Sequence, residues 1–163
     1  DPLVSPLCAD PAIFPPMLLL VGGAEVLLGE ALAFARSLAL ADRPFAHAHS
    51  EFVRHKTTRR AHYAAFAPPP GSGVSDTLLY NEAGEITETT FGNVAALLDG
   101  RWITPPQACG LLPGVGRAEL LRTGRLVEQA LTLADLPRVQ GWAFVNSLRG
   151  WLPARLVAGA RQR

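Results

Sequence analysis

The stretch Asn93-Val94-Ala95-Ala96-Leu97-Leu98-Asp99-Gly100-Arg101-Trp102-Ile103 decides the fold class of this chain. Residues 93–98 form an apolar run of strand length. Asp99-Gly100 tolerates the left-handed backbone of a tight hairpin turn, and residues 101–103 return as its partner strand. Upstream, residues 77–80 and 85–88 read as short strands joined by the turn Asn81-Glu82-Ala83-Gly84. Downstream, Pro105-Pro106 ends the hairpin. Leu111-Leu112-Pro113-Gly114-Val115-Gly116 then opens a helix over 117–121 that closes near Gly124. Residues 126–131 predict a strand, 133–139 a short helix and 142–146 a buried strand, and a last strand falls within 151–157. Further out, residues 1–16 are proline-rich and irregular. Val26, Leu27, Ala31, Phe34 and Leu38 lie on one face of a helix over 25–40. Pro44 bars its continuation, residues 43–50 are a connector, and a second helix over 57–66 ends at Pro68-Pro69-Pro70-Gly71-Ser72-Gly73. The sum is an α+β chain with a largely antiparallel sheet.

Composition narrows the function. A chain of 163 residues, 48% hydrophobic and 18% charged, suits one domain, or one with a partial second, around a real core. Its formal charge of +1 argues against a polyanion-binding surface over the whole chain, so no nucleic-acid partner is expected. Cys8 and Cys109 form neither a disulfide framework nor a zinc spacing, and His47, His49, His55 and His62 include no His-Glu-x-x-His pair, so no metal is expected. Met17-Leu18-Leu19-Leu20-Val21 is too short to span a bilayer and lacks the basic leader of a secretory signal. The expectation is a cytoplasmic protein with no membrane association.

Four places could carry chemistry. Lys56, in Arg54-His55-Lys56-Thr57-Thr58-Arg59-Arg60, is the chain's only lysine. Neighbouring cations disfavour a protonated amine, and a neutral amine is what Schiff-base chemistry needs; a solvated basic helix end is the plainer reading. Glu88, in Ile86-Thr87-Glu88-Thr89-Thr90, could line a polar pocket or sit on an exposed strand face. Leu112-Pro113-Gly114-Val115-Gly116-Arg117 opens a helix whose free N–H groups could approach an anion, or is an ordinary helix start. Asn146-Ser147-Leu148-Arg149-Gly150, beyond a buried strand, suits a ligand site or a simple turn.

Taken in order, these pieces resemble the fold-type IV pyridoxal-phosphate enzymes, the class IV aminotransferase family. The match rests on Arg54 to Arg60, Asn81 to Glu88, Phe91-Gly92-Asn93 with Asp99 to Pro106, Cys109 to Arg117, and Phe144 to Trp151. It covers roughly residues 42–158. The resemblance implies the large cofactor-binding domain of a D-amino-acid aminotransferase-like fold over 42–163. It also implies a shortened or altered N-terminal segment over 1–41 in place of a complete small domain. Pyridoxal 5'-phosphate is the implied cofactor. Lys56 is the implied catalytic residue, which binds that cofactor covalently and moves protons, and Glu88 pairs with the pyridine nitrogen. Val115 and Gly116 supply helix-start amides to the phosphate and Ser147 a hydroxyl. Asn93 lies near the cofactor, and Arg54 helps on the phosphate side or acts on Lys56.

Within the family the flavour is that of an aminodeoxychorismate lyase, including the module fused to a synthase component. The implied reaction turns 4-amino-4-deoxychorismate into 4-aminobenzoate and pyruvate for folate synthesis. The implied partners are a small-molecule substrate, a second copy in a homodimer, and a synthase domain upstream in the native polypeptide. A branched-chain or D-amino-acid transaminase is the alternative within the family. A truncated, catalytically silent domain is the alternative outside enzyme chemistry.

Overall fold

A computed structural model describes residues 35–157. The irregular segment expected at 1–16 and most of the helix expected at 25–40 lie outside them. The strands are β1 (Arg36–Leu40), β2 (Asp76–Tyr80), β3 (Ile86–Thr89), β4 (Asn93–Leu98), β5 (Arg101–Thr104), β6 (Val127–Glu128), β7 (Gly141–Asn146) and β8 (Gly150–Val157). They form one eight-stranded sheet in the order β3-β2-β1-β8-β7-β4-β5-β6. Three short helices join them: α1 (Glu51–Arg54), α2 (Ala61–Ala64) and α3 (Val115–Arg122), with 3-10 turns at Gln107–Cys109 and Leu133–Arg138.

The sheet is mixed. β1 runs parallel to both β2 and β8, and β5 parallel to β6. The β2/β3, β4/β5, β4/β7 and β7/β8 pairs are antiparallel. The central hairpin stands where its sequence puts it. Asp99 and Gly100 both take positive φ, 49° and 75°, the geometry that matches a two-residue turn to strand twist. The α+β class with mainly antiparallel pairing is what the strand pattern predicts.

The sheet curls until its edges meet. Glu85 bridges Thr132 antiparallel, Ile86 N–H donates to Leu131 C=O at 2.7 Å, and Leu133 N–H donates to Gly84 C=O at 3.0 Å. Inside the curl pack Leu78, Ile86, Val94, Ala96, Leu98, Ile103, Leu131 and Trp142. Strand alternation sends Ala95, Ala143 and Val145 to the other face, where they pack with Leu126 against Leu120 and Leu121 of α3. Small side chains at 95 and 143 let α3 lie close to the sheet. A third cluster, Ala41, Phe45, Ala48, Val53, Tyr63 and Leu79, gathers under α1 and α2.

Four expectations are corrected. Residues 36–40 are the parallel strand β1, because hydrogen bonds from β2 and β8 on both sides override the helix propensity of an Ala/Leu-rich run. The helix expected over 57–66 shrinks to α2, leaving Lys56 in the extended link after α1 rather than at a helix end. The strand expected over 126–131 pairs only at β6, and the helix expected over 133–139 is the 3-10 turn Leu133–Arg138, which contains Pro137. Among the described residues no helix is long and apolar enough to cross a membrane.

The seam at Leu131 carries the closure. Its side chain is fully buried. Leu131→Ala is expected to cost about 2–5 kcal/mol, the range for a buried leucine whose site collapses only partly. Urea denaturation followed by tryptophan fluorescence measures it, and a loss under about 1 kcal/mol counts against the seam.

Candidate active site

Glu88 occupies an irregular place in the sheet. Leu78 pairs with Thr89, but Tyr80 pairs with Ile86, so β3 carries one residue more than β2 between those pairs. This is a β-bulge at Thr87–Glu88. In a regular strand Glu88 would share the face of Ile86, two residues back, and point into the apolar core. Instead, Ile86 packs in the core and Glu88 meets Tyr63 of the cluster under α2. The Tyr63 hydroxyl donates to Glu88 Oε1 at 2.6 Å, and Leu112 N–H donates to Oε2 at 3.1 Å.

That carboxyl is 3% exposed. Burial pushes it up to about 7, raised also by Asp76 and opposed by the Tyr63 hydroxyl, the Leu112 N–H and the Arg60 cation. Tyr63 is pushed far above the ordinary phenol range, first by burial and then by Glu88. The next residues are tied down separately. Asp76 Oδ1 accepts from Thr90 N–H at 3.1 Å and from Thr90 Oγ1 at 2.6 Å.

Glu88 and Tyr63 line a cavity of about 280 Å³. Lys56 and His55 enter from the α1–α2 link, Asn93 from the start of β4, Leu112 to Val115 from the approach to α3, and Asn146 to Leu148 from the β7–β8 turn. Five sequence-predicted residues therefore meet there: Lys56, Glu88, Asn93, Val115 and Ser147. Arg54 is exposed and does not line the cavity, since Val53 takes the buried face of the single-turn α1. Gly116 does not line it either. A β-carbon at 116 would come within 3.0 Å of the Asn146 carbonyl carbon and 3.2 Å of the Ser147 nitrogen, so Gly116 brings the start of α3 against the β7–β8 turn.

Asn93 acts on the same loop. Its Nδ2 donates to Leu112 C=O at 2.8 Å, and a β-carbon at 114 would overlap its Oδ1. Gly114 is the N-cap of α3, and the first helical bond, Ala118 N–H to Gly114 C=O, is 2.9 Å. The N–H groups of the first turn, Val115 to Arg117, therefore lack helical acceptors. Buried Arg117 ties this turn to the sheet, donating to Pro105 C=O at 2.8 Å and pairing with Glu128.

Tyr63 and Arg60, two residues that line the cavity beside Glu88, escaped the sequence reading. Tyr63 falls there inside the helix expected over 57–66 with no role of its own, and Arg60 in the basic run Arg54 to Arg60. The sequence offers no local signal for Arg60, whose aromatic contact Phe91 is distant in the chain. Cys109 is buried and its thiol is pushed up to about 11 by burial and then by Glu85, so it is no thiolate nucleophile.

This geometry suits a ligand with an anionic group and a protonated nitrogen. An ionised carboxylate has more acceptor positions than the two hydrogen bonds made by Glu88, and free amides stand at a helix start on the same cavity. The sequence model of the amino-transferase class IV family matches residues 29–157. The chain belongs to that family. Its members depend on pyridoxal phosphate.

The chain is 47% identical over 57 residues to a candidate aminodeoxychorismate lyase of Schizosaccharomyces pombe, a match spanning 35% of this chain and 25% of that one. It is 42% identical to the crystal structure of a candidate amino-acid aminotransferase from Mesorhizobium loti, with a TM-score of 0.69, over 76% of this chain and 60% of that one. A candidate 4-amino-4-deoxychorismate lyase from Legionella pneumophila shares the fold at 20% identity and a TM-score of 0.68, over 78% of this chain and 51% of that one. The chain thus spans only part of the length of these relatives. The cofactor-binding fold and the pyridoxal-phosphate enzyme class expected from the resemblance agree with these findings.

The raised Glu88 carboxyl sets a pH dependence in the cofactor-free chain. The unfolded carboxylate ionises near 4.5 and the folded one at about 7, so the folded state holds the extra proton between them. The stabilising contribution is full below about 4.5 and is lost as pH rises through about 7. Glu88→Gln keeps an acceptor for Leu112 N–H and turns its amide to the Tyr63 oxygen, without the charge. Melting temperatures at pH 5 and pH 8 are expected to fall several degrees more in the wild type than in Glu88→Gln. Equal falls would refute the assignment.

Proposed function

We propose that this chain is a pyridoxal-phosphate-dependent lyase that converts 4-amino-4-deoxychorismate into 4-aminobenzoate and pyruvate, a step of folate synthesis. The observation that carries the cofactor chemistry is the single lysine and the buried Glu88 on one cavity. The stretch nearly half identical to the fission-yeast protein supports the choice of lyase.

Pyridoxal phosphate, when bound, supplies an electron sink for the pair released at the amine-bearing carbon of the substrate. In this reading Lys56 would hold the cofactor through Nζ, and its amine would take the proton from that carbon. The Glu88 carboxylate would face the ring nitrogen, and its charge would keep that nitrogen protonated. The Val115 N–H and the Ser147 hydroxyl would hold the phosphate, with Gly116 letting the start of α3 sit against the β7–β8 turn. Asn93 sets the approach to α3 through Leu112 and Gly114. The carbon–oxygen bond to the enolpyruvyl group would then break, the departing enolpyruvate would take up a proton to become pyruvate, and the ring would become aromatic, which drives the reaction. A homodimer is part of the proposal: Phe91, Val115 and Leu148, 62%, 75% and 86% exposed, gather about the cavity mouth, and exposed apolar groups of this kind favour burial against a partner.

A transaminase is the second reading, favoured by the 42% identity to the Mesorhizobium protein. The two separate cleanly. The full chain is incubated with pyridoxal phosphate, reduced with borohydride and mapped by mass spectrometry. A reduced adduct on Lys56, absent in Lys56→Ala, is expected. With 4-amino-4-deoxychorismate and no keto acid, 4-aminobenzoate and pyruvate should form in equal amounts. Turnover that requires a keto-acid acceptor makes the chain a transaminase, and no adduct on Lys56 overturns both readings.

A further inference from the structure

Arg60 stands apart from the residues assigned so far. Its guanidinium lies over the Tyr63 ring, 4.7 Å from the centroid, and over the Phe91 ring at 5.0 Å. It also donates to Thr90 C=O. Both rings and Thr90 lie on the wall that carries Glu88: Tyr63 donates to the Glu88 carboxylate, and Thr90 and Phe91 are the second and third residues after it. A long flexible cation is thus held by two aromatic faces and a carbonyl, which leaves it little freedom beside a carboxylate removed from water. An ornamental surface arginine would need none of these restraints.

We propose that Arg60 is a positioning residue that favours the ionised form of the Glu88 carboxyl and holds its Tyr63 partner in place. The inference rests on the reading of Glu88 as the group that faces the ring nitrogen of the cofactor. The physical need is plain. Burial favours the neutral acid, and a neutral acid offers the ring nitrogen no fixed negative charge. The charged and titratable groups around Glu88 are Tyr63 from α2, Arg60 from the link before it, Asp76 from β2, and Lys56 and His55 from the lip of the cavity. Asp76 pushes toward the neutral form, and Arg60 opposes both it and burial. Tyr63 supplies a hydrogen bond but no charge.

The test uses the full chain without cofactor. The protein is labelled with glutamate carrying carbon-13 at Cδ, and the Glu88 resonance is assigned by its absence in Glu88→Gln. Its titration is followed in wild type, Arg60→Met, Arg60→Gln and Arg60→Lys, with circular dichroism to establish folding. The midpoint should rise by about one pH unit or more in the two neutral variants, the scale on which a close opposite charge acts. It should stay within about half a unit of the wild type in Arg60→Lys, well inside that effect. An unmoved midpoint in whichever neutral variant folds overturns the proposal. So does an equal rise in Arg60→Lys, which would assign the effect to shape and not charge. The outcome is independent of the reaction: failure to trap cofactor on Lys56 would sink the enzymatic reading while the titration still reports on Arg60.

Discussion

A carboxylate withdrawn from water is the constraint around which this domain is arranged. Glu88 is nearly inaccessible, and burying an unpaired charge is among the largest penalties a fold can carry. Three elements offset it, each from a different part of the chain. The α2 region brings the Tyr63 hydroxyl, the approach to α3 brings the Leu112 N–H, and the link before α2 brings the Arg60 cation. None of these three segments is regular for long. Their shape follows from the atoms they must deliver.

The same logic explains the packing on the opposite wall. The start of α3 must approach the β7–β8 turn and the β4 start together. Gly114 and Gly116 remove the side chains that would hold these backbones apart, and the Asn93 amide stitches the first of them to the sheet. Ala95 and Ala143 play the corresponding part beneath the helix. Small residues therefore set the position of the free amides, and a helix of eight residues is placed by contacts at its first turn.

How much of this could be read in the sequence depended on the range of the interactions. The β4–β5 hairpin was fully legible, because Asp99-Gly100 decides its turn locally and the apolar run decides its burial. β1 was not, because Arg36 to Leu40 is made a strand by neighbours 38 and 118 residues away, as the Ser37–Ser75 and Ser37–Arg155 bonds show. Lys56, Glu88, Asn93, Val115 and Ser147 were named through the family resemblance that short motifs carry, and they line one cavity. Arg54 was misplaced because neighbours on a single helical turn face different ways. Tyr63 was missed because its role depends on the bulge in β3, and a one-residue offset between two strands leaves no local mark in either.

The bulge also joins the site to the stability of the barrel-like curl. β3 has four residues, and its pairing with β2 is interrupted where Glu88 turns outward. What holds the strand on its other side is the Ile86–Leu131 bond beside the Glu85–Thr132 bridge. Ile86 anchors the strand in the core two residues before the carboxylate, and Asp76 grips Thr90 two residues after it. Glu88 is thus suspended between two fixed points on a segment that has given up regular pairing. Such a segment can aim a charge into a cavity only while both anchors hold, so the closure of the sheet is part of the site's electrostatics as well as of the fold.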